Sequence, residues 1–498
     1  MDTLRLINYR CFEDTGTVEL KPLTLLVGAN SSGKSSFLKF FPLLKQSMDI
    51  QRNGVFLWLS NNVDFQDFRN TVRNGTGSIG VSFLVKDLNI SSNKRLLPKK
   101  IKSVIIEIKV SEKDAIFDYL EELRIAFDDQ EILVMFSKNN DAEVIINGSK
   151  VQFGKEKVKS IGTNSLLPRL VFINDKGFDD EHSINSYEFL QNTFVAKESL
   201  EYADITRFRR FMFAPNIGSR KDLISYIKRM GKGTHLNWDT LDKELINNQY
   251  LYYNVNNIID SININVMNLA QNIVYIRPLR ATTERYYRFQ NYSVEEIDSD
   301  GKNLAMFLYN LDVELKEEFR SWTNELLGFK LDVVANNGHI ELKIAESDNI
   351  YRNMVDIGFG YTQLLPIIAI IWKTIFIDTE RERRRKNSKH EFLVVIEQPE
   401  LHLHHRFQAK FAELLVRVIK WCEETNKDIR FIIETHSEVI LNKIGESVAM
   451  DKINKNDVSV VLFNAQKEDM ARYVELATYS KDGFLTNWPM GFFAEYVD

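Results

Sequence analysis

Apolar and polar positions alternate with a period of two along several stretches of this chain, and each such stretch predicts a half-buried β-strand. Leu4-Arg5-Leu6-Ile7-Asn8-Tyr9 and Thr17-Val18-Glu19-Leu20 predict an antiparallel pair leading into a buried central strand, Leu23-Thr24-Leu25-Leu26-Val27. A β-rich region follows over residues 78–173, with alternating or β-branched runs at 79–84, 103–110, 123–127, 132–136 and 143–146. Residues 180–272 read as helical and polar, with Asn/Lys-rich connections such as Gly231-Lys232-Gly233-Thr234. Strand patterns return at 273–276, 330–334 and 340–344. Residues 361–378 predict a helix, and its most apolar part, 364–372, is too short to span a bilayer and reads as buried. Two short apolar strands, 392–396 and 430–433, each run into polar or charged residues. There are no internal repeats and no low-complexity segments.

The strand at 23–27 runs directly into Gly28-Ala29-Asn30-Ser31-Ser32-Gly33-Lys34-Ser35, and helical signals begin at Ser36-Phe37-Leu38. Strand, Gly-rich turn, Lys-Ser and helix form a phosphate-binding loop. Backbone N–H groups from Asn30 to Ser36 and the helix start would face the anion. Lys34 would reach the β- and γ-phosphates, and Ser35 would ligate Mg²⁺. Gly28 and Gly33 allow backbone geometry that a Cβ would obstruct.

Composition narrows the classes. The 498 residues predict two or three domains, and 44% hydrophobic with 27% charged residues is an ordinary globular balance. A net charge of −5 carries no global signal for binding a polyanion, so nucleic acid contact would need a local basic patch. Cys11 and Cys422 are far apart in sequence, which fits a reducing cytoplasm and argues against a disulfide framework. No secretory signal is visible at the start, and no membrane association is expected.

Further along, Phe392-Leu393-Val394-Val395-Ile396-Glu397-Gln398-Pro399-Glu400 is an apolar strand ending in an acid. In a phosphate-loop fold such an acid lies beside the first strand and helps to hold Mg²⁺, which makes Glu397 the candidate. Arg430-Phe431-Ile432-Ile433-Glu434-Thr435-His436-Ser437 is a second such strand. His436 there could contact a γ-phosphate or orient the attacking water. Asp356-Ile357-Gly358-Phe359-Gly360-Tyr361-Thr362-Gln363 precedes the apolar helix and offers another anion-binding helix start.

In chain order, the Gly-Ala-Asn-Ser-Ser-Gly-Lys-Ser loop, the Gly-Phe-Gly-Tyr-Thr-Gln helix start, the Glu-Gln-Pro-Glu strand end and the Glu-Thr-His-Ser strand end resemble those of ABC-type ATPases of the SMC/RecF/OLD group (OLD, overcoming lysogenization defect). Leu6-Ile7-Asn8-Tyr9-Arg10-Cys11-Phe12 is similar to that group's first strand. Asp482-Gly483-Phe484-Leu485-Thr486-Asn487-Trp488-Pro489-Met490-Gly491-Phe492-Phe493 resembles the ending of a stand-alone prokaryotic subfamily that includes anti-phage defence ATPases of the Septu and PARIS kind. The resemblance covers residues 1–75, 273–305 and 350–498. It implies an α/β fold: an ABC-type P-loop ATPase head, a mixed sheet flanked by helices, split between residues 1–75 and 273–498. A β-rich lobe over 76–175 and an inserted helical domain over 176–272 complete the expected organisation.

The resemblance also implies roles. ATP and Mg²⁺ are the cofactors. Lys34 and Ser35 bind phosphate and metal, and Glu397 is the Walker B acid. Gly360, Thr362 and Gln363 form a signature segment reaching the partner's nucleotide, and His436 is the switch histidine. Asp64-Phe65-Gln66-Asp67 sits where a Q-loop would lie, with Gln66 toward the metal. Two heads sandwich two nucleotides, so a homodimer or higher oligomer is implied.

One position departs from the group. Most members place a catalytic Glu directly after the Walker B acid; here that residue is Gln398. An amide cannot accept the water's proton as a carboxylate does. Hydrolysis is therefore expected to be slow, unless Glu400 or His436 supplies the base or water orientation suffices.

Other features admit ordinary readings. Arg277, Arg280, Arg285 and Arg288 interleave with tyrosines and could hold phosphate or nucleic acid, or form a salt-bridged turn. Arg381-Glu382-Arg383-Arg384-Arg385-Lys386 is the pattern of a solvated loop, with DNA or partner contact as the alternative. His402, His404 and His405 have metal-like spacing but fall where the group's dimer-facing D-loop lies. Asp179-Asp180-Glu181 reads as a solvated turn.

OLD nucleases carry a Toprim domain after the ATPase. Only about sixty residues follow His436, too few for that domain as well as the last ATPase elements. The expected function is thus a cytoplasmic, dimeric ATP-binding sensor or regulator in anti-phage defence, controlling a separately encoded effector such as a nuclease. The alternative is a RecF-like repair ATPase that clamps DNA in an ATP-dependent dimer.

Overall fold

The computed structural model describes residues 1–73, 75–90, 99–114, 117–151, 157–162, 165–174, 177–179, 217–230, 242–278, 284–288, 294, 296–298, 301–346, 348, 350–357, 359–379, 391–465 and 472–488. Backbone contacts divide the chain into two units, Met1–Glu19 with Leu43–Gln271, and Leu20–Pro42 with Asn272–Asp498. The sequence-based division placed the whole of 1–75 with the ATPase head. The difference lies in the opening strand and in residues 43–75, which fall in the first unit. Thr3–Ile7 pairs with Val18–Glu19 as expected, but it also pairs with Ser78–Ile90, so it extends the sheet of the β-rich region.

That first unit holds an antiparallel sheet of eleven strands. Its order runs from Gly177–Asp179 through Arg169–Asn174, Lys157–Ile161, Asp141–Ile146, Gln130–Phe136, Asp118–Phe127, Lys99–Glu112 and Ser78–Ile90 to Thr3–Ile7 and Val18–Glu19, with Ser149–Lys150 paired to Asp141–Ile146. Every second residue of Gln130–Phe136 is buried, as the period-two pattern requires for a sheet with one covered face. The helix Lys243–Gln271 is rich in Asn, yet much of it is interior. Asn256 accepts from the backbone N–H of Leu170 and donates to its carbonyl, both at 2.9 Å. Asn263, two turns later on the same face, does the same with Leu167 at 2.9 Å. A side-chain amide carries both a donor and an acceptor, so it satisfies backbone groups that would otherwise be buried unpaired. Gln130, Asn147, Asn247 and Asn248 form a similar amide cluster.

Asp118 is another interior polar group of this unit. Its carboxylate accepts from the Val55 N–H at 2.6 Å and from the Trp58 indole at 2.7 Å. Burial outweighs those bonds and pushes its pKa up to about 6.

The second unit contains a sheet of seven strands, in the order Ile273–Ile276, Glu391–Glu397, Asp428–Glu434, Leu23–Gly28, Val458–Ala465, Arg472–Tyr479 and Leu485–Thr486. The first five are mutually parallel, and the last two are antiparallel to their neighbours. Leu23–Gly28 is buried along its whole length, which explains its nearly unbroken apolar run. The sheet order corrects one expectation. The strand carrying Glu397 is not adjacent to the phosphate-loop strand; Asp428–Glu434 lies between them, because it pairs with both. Val458–Ala465, on the other side of the phosphate-loop strand, was not singled out in the sequence.

A smaller sheet joins Tyr287–Arg288, His339–Ala345, Lys330–Asn336 and Arg352–Asn353. The apolar helix spans Phe359–Lys373 and continues as a π-helical turn, Thr374–Asp378. By length and composition Gly360–Asp378 is apolar enough to cross a membrane, but 78% of it is buried inside the chain. Its residues Leu364, Leu365, Ile368 and Trp372 lie in the unit's core with Phe411, Leu415 and Ile419 of the helix His405–Glu424.

Candidate nucleotide site

The phosphate loop leaves its strand at Gly28. A Cβ there would lie 2.6 Å from both the Phe463 carbonyl oxygen and Ser32 Oγ, so only glycine lets the loop turn this closely against the neighbouring strand. Ser31 and Gly33 adopt positive φ, 60° and 108°, before the first helical turn, Lys34–Leu38. Asn30 and Ser31 are exposed, Ser32, Gly33 and Lys34 are buried, and Ser35 and Ser36 are half-buried. The Lys34 ammonium folds back into the loop and donates to the carbonyls of Gly28 at 3.0 Å and Ala29 at 2.8 Å. Burial lowers its pKa, and Glu434 and Glu400 partly offset this. Ser32 Oγ is buried with no hydrogen-bond partner among the described residues. A cradle that a Cβ would fill, an orphaned hydroxyl and a buried ammonium fit a polyphosphate.

Two acids stand at the ends of adjacent parallel strands, and one of them, Glu434, meets the loop at Ser35. Glu397 and Glu434 are direct register partners. Glu397 accepts from the Tyr275 hydroxyl at 2.6 Å and lies 3.6 Å from Lys39 Nζ. Tyr275 belongs to the strand Ile273–Ile276. Its phenol pKa is raised, by burial first and by Glu397 next. Glu434 accepts from Ser35 Oγ at 2.8 Å, and its other oxygen is buried without a partner among the described residues. Burial pushes the Glu434 carboxyl up to about 7, against the Ser35 hydrogen bond. Neither Tyr275 nor Glu434 was a sequence candidate. Glu434 stood in view within Glu-Thr-His-Ser, whereas nothing around Tyr275 marked it.

The turn after Glu397 is unusual. Gln398 and His402 have φ of 44° and 61°, uncommon for such side chains. The Gln398 N–H donates to the Glu434 carbonyl at 2.9 Å, and its side-chain amide lies 3.4 Å from Glu434 Oε1. Glu400, a possible base by sequence, is already engaged. It accepts from the His436 N–H at 2.6 Å and from the Thr435 hydroxyl at 2.9 Å, and so positions the histidine turn. His436 Nε2 is buried with no partner among the described residues, and burial followed by Lys34 lowers its pKa to about 4. A neutral imidazole there can accept a hydrogen bond at physiological pH.

The other candidates have surroundings of their own. Gln66 belongs to the first unit, where it is exposed and accepts from Asn70 Nδ2 at 3.1 Å. Thr362 and Gln363 are buried within their own chain. A Cβ on Gly360 would lie 2.6 Å from the Phe407 ring, so this glycine serves close packing. His404 caps the helix His405–Glu424 through Arg406 N at 3.3 Å, and no cluster of three metal-type ligands occurs among the described residues. Arg285 pairs with Asp356, and Arg288 is exposed. Gly358, Arg280, 381–386, 180–181 and 489–493 lie outside the described residues.

Several structures are similar to this chain. An SMC head bound to the C-winged helix domain of ScpA is 12% identical, with 96% of this chain and 98% of that chain covered and a TM-score of 0.35. An SMC head with an extended coiled coil, bound to the C-terminal domain of ScpA derived from Pyrococcus furiosus, is 11% identical, with 96% of each chain covered and a TM-score of 0.36. The SMC head domain from Thermotoga maritima is 10% identical, with 95% of this chain and 97% of that chain covered and a TM-score of 0.35. No curated protein matches. The sequence matches the AAA ATPase domain family over residues 1–441, the greater part of its length, and the phosphate loop, paired strand-end acids and histidine turn described above all fall inside that match: the chain belongs to the AAA ATPase domain family.

Proposed function

We propose that this ATPase is a slow nucleotide-gated switch, working as a dimer to control a separately encoded effector, such as a nuclease, in anti-phage defence. The observation that carries the switch reading is the amide of Gln398, at the turn after Glu397 and 3.4 Å from Glu434, the acid that meets Ser35 of the phosphate loop. Lys34 and the loop N–H groups bind phosphate. Ser35 and the strand-end acids would hold Mg²⁺, which when bound neutralises phosphate charge and orients the transferred group. Gln398 can orient a water but cannot take its proton, while His436 offers a neutral nitrogen with no internal partner among the described residues. Loss of a well-placed base is worth about 10²- to 10⁴-fold in rate. The nucleotide-bound state would therefore persist. The similarity of residues 482–493 to the defence subfamily supports the effector role.

Native mass and partner content of the purified protein, with and without ATP–Mg²⁺ and beside Lys34→Ala, test this reading. The expected result is an assembly containing a second protein, changed by nucleotide in the wild type alone, with turnover below roughly a few per second. A lone chain that dimerises with ATP and then retains DNA would move the assignment to a DNA-clamping ATPase.

A further inference from the structure

We infer that Glu434 is a ligand-side carboxylate for the divalent cation that accompanies the nucleotide, a role that the sequence pattern assigned to Glu397. The inference rests on the ATP-site reading above. Ser35 is the motif's cation-binding hydroxyl, and its Oγ donates to Glu434 at 2.8 Å. Glu434 is therefore one hydrogen bond from the atom that would hold the cation. Its second oxygen is buried and has no partner among the described residues. An ionisable oxygen left so is costly unless a donor or a cation meets it. Glu397 is placed differently. One of its oxygens is taken by the Tyr275 hydroxyl at 2.6 Å, and the other faces Lys39 Nζ at 3.6 Å. The two acids are register partners on adjacent strands, so one cation near Ser35 would relieve the repulsion of both. Mg²⁺ is usually held by one or two carboxylates with phosphate oxygens supplying further ligands, and this donor set fits that habit.

The experiment measures affinity for a non-hydrolysable ATP analogue in EDTA and with Mn²⁺, for the wild type, Glu434→Gln and Glu397→Gln. Mn²⁺ electron paramagnetic resonance reports the bound cation directly. Glu434→Gln is expected to lose about 10- to 100-fold of the affinity that Mn²⁺ adds and to keep its metal-free affinity. Glu397→Gln is expected to lose less. Urea unfolding in EDTA should find Glu434→Gln at least as stable as the wild type, since an isosteric amide keeps the Ser35 contact and removes a buried charge. Full Mn²⁺ coupling in Glu434→Gln would overturn the assignment, and so would its failure to fold, which would make the carboxylate a structural group. A wild type that binds no nucleotide under either condition would refute the ATP-site reading itself.

Discussion

Restoring an acid after Glu397 is expected to destabilise the empty site before it accelerates anything. Glutamate is isosteric with Gln398, whose amide nitrogen lies 3.4 Å from Glu434 Oε1. Gln398→Glu would set two carboxylates at that separation, beside Glu397. At an effective dielectric of 20, unit charges at this distance repel by about 5 kcal/mol. Glu434, whose carboxyl is pushed up to about 7, can take a proton instead of bearing that repulsion in full, which caps the expected loss at about 1.4 kcal/mol at pH 8. The assay is urea unfolding of the wild type and the variant at about pH 8, in EDTA and then with saturating Mg²⁺ and nucleotide, alongside turnover. The variant should be less stable in EDTA, the gap should close with the cation present, and turnover should rise at least about tenfold as a proton acceptor is restored. Equal stability in EDTA would refute the reasoning, because the two side chains could not then meet as charged groups.

Three further outcomes follow from the geometry. Gly28→Ala should abolish nucleotide binding and cost about 1–3 kcal/mol, since its Cβ would strike the Phe463 carbonyl; titration with a fluorescent nucleotide and unfolding would check both effects. Gly360→Ala should cost a similar amount, by collision with Phe407, while the isolated chain keeps its nucleotide affinity; a variant of normal stability with lost affinity would restore Gly360 to the site. Asp118 has a folded pKa raised to about 6, so the folded state holds its proton more tightly than the unfolded chain does. The resulting stabilisation is complete below the ordinary carboxylate range and is lost as pH rises through about 6, by at most about 3 kcal/mol. Asp118→Asn should lack that loss, so the stability difference between the two proteins should change between about pH 4 and 7; a flat difference in urea unfolding would contradict the shift.

Much of the nucleotide site was legible because its key motif is contiguous. Gly28 to Ser35 carries its own turn chemistry, and the strand before it is recognisable from its unbroken apolar run. The β-rich region was legible for a similar reason, since a half-covered sheet writes a period of two into each strand. The asparagines of Lys243–Gln271 were harder to place. Polarity reads as exposure until a backbone partner is known, and Asn256 and Asn263 find theirs at Leu170 and Leu167, far away in sequence. The packing requirement at Gly360 was equally hidden: its missing Cβ makes room for Phe407, a residue far away in sequence.

By itself the sequence determined that a phosphate loop exists, that strands end in Glu397 and in Glu434-Thr435-His436, and that Gln398 stands after the first acid. Only the tertiary structure decided which acid meets Ser35. Strand order is set by long-range packing and leaves no local signature, so the placement of Asp428–Glu434 beside Leu23–Gly28 could not be read from either segment alone. That one adjacency brings Glu434 to the Ser35 hydroxyl and leaves Glu397 to Tyr275 and Lys39, because hydrogen bonds and ion pairs act over a few ångströms of space and not along the chain.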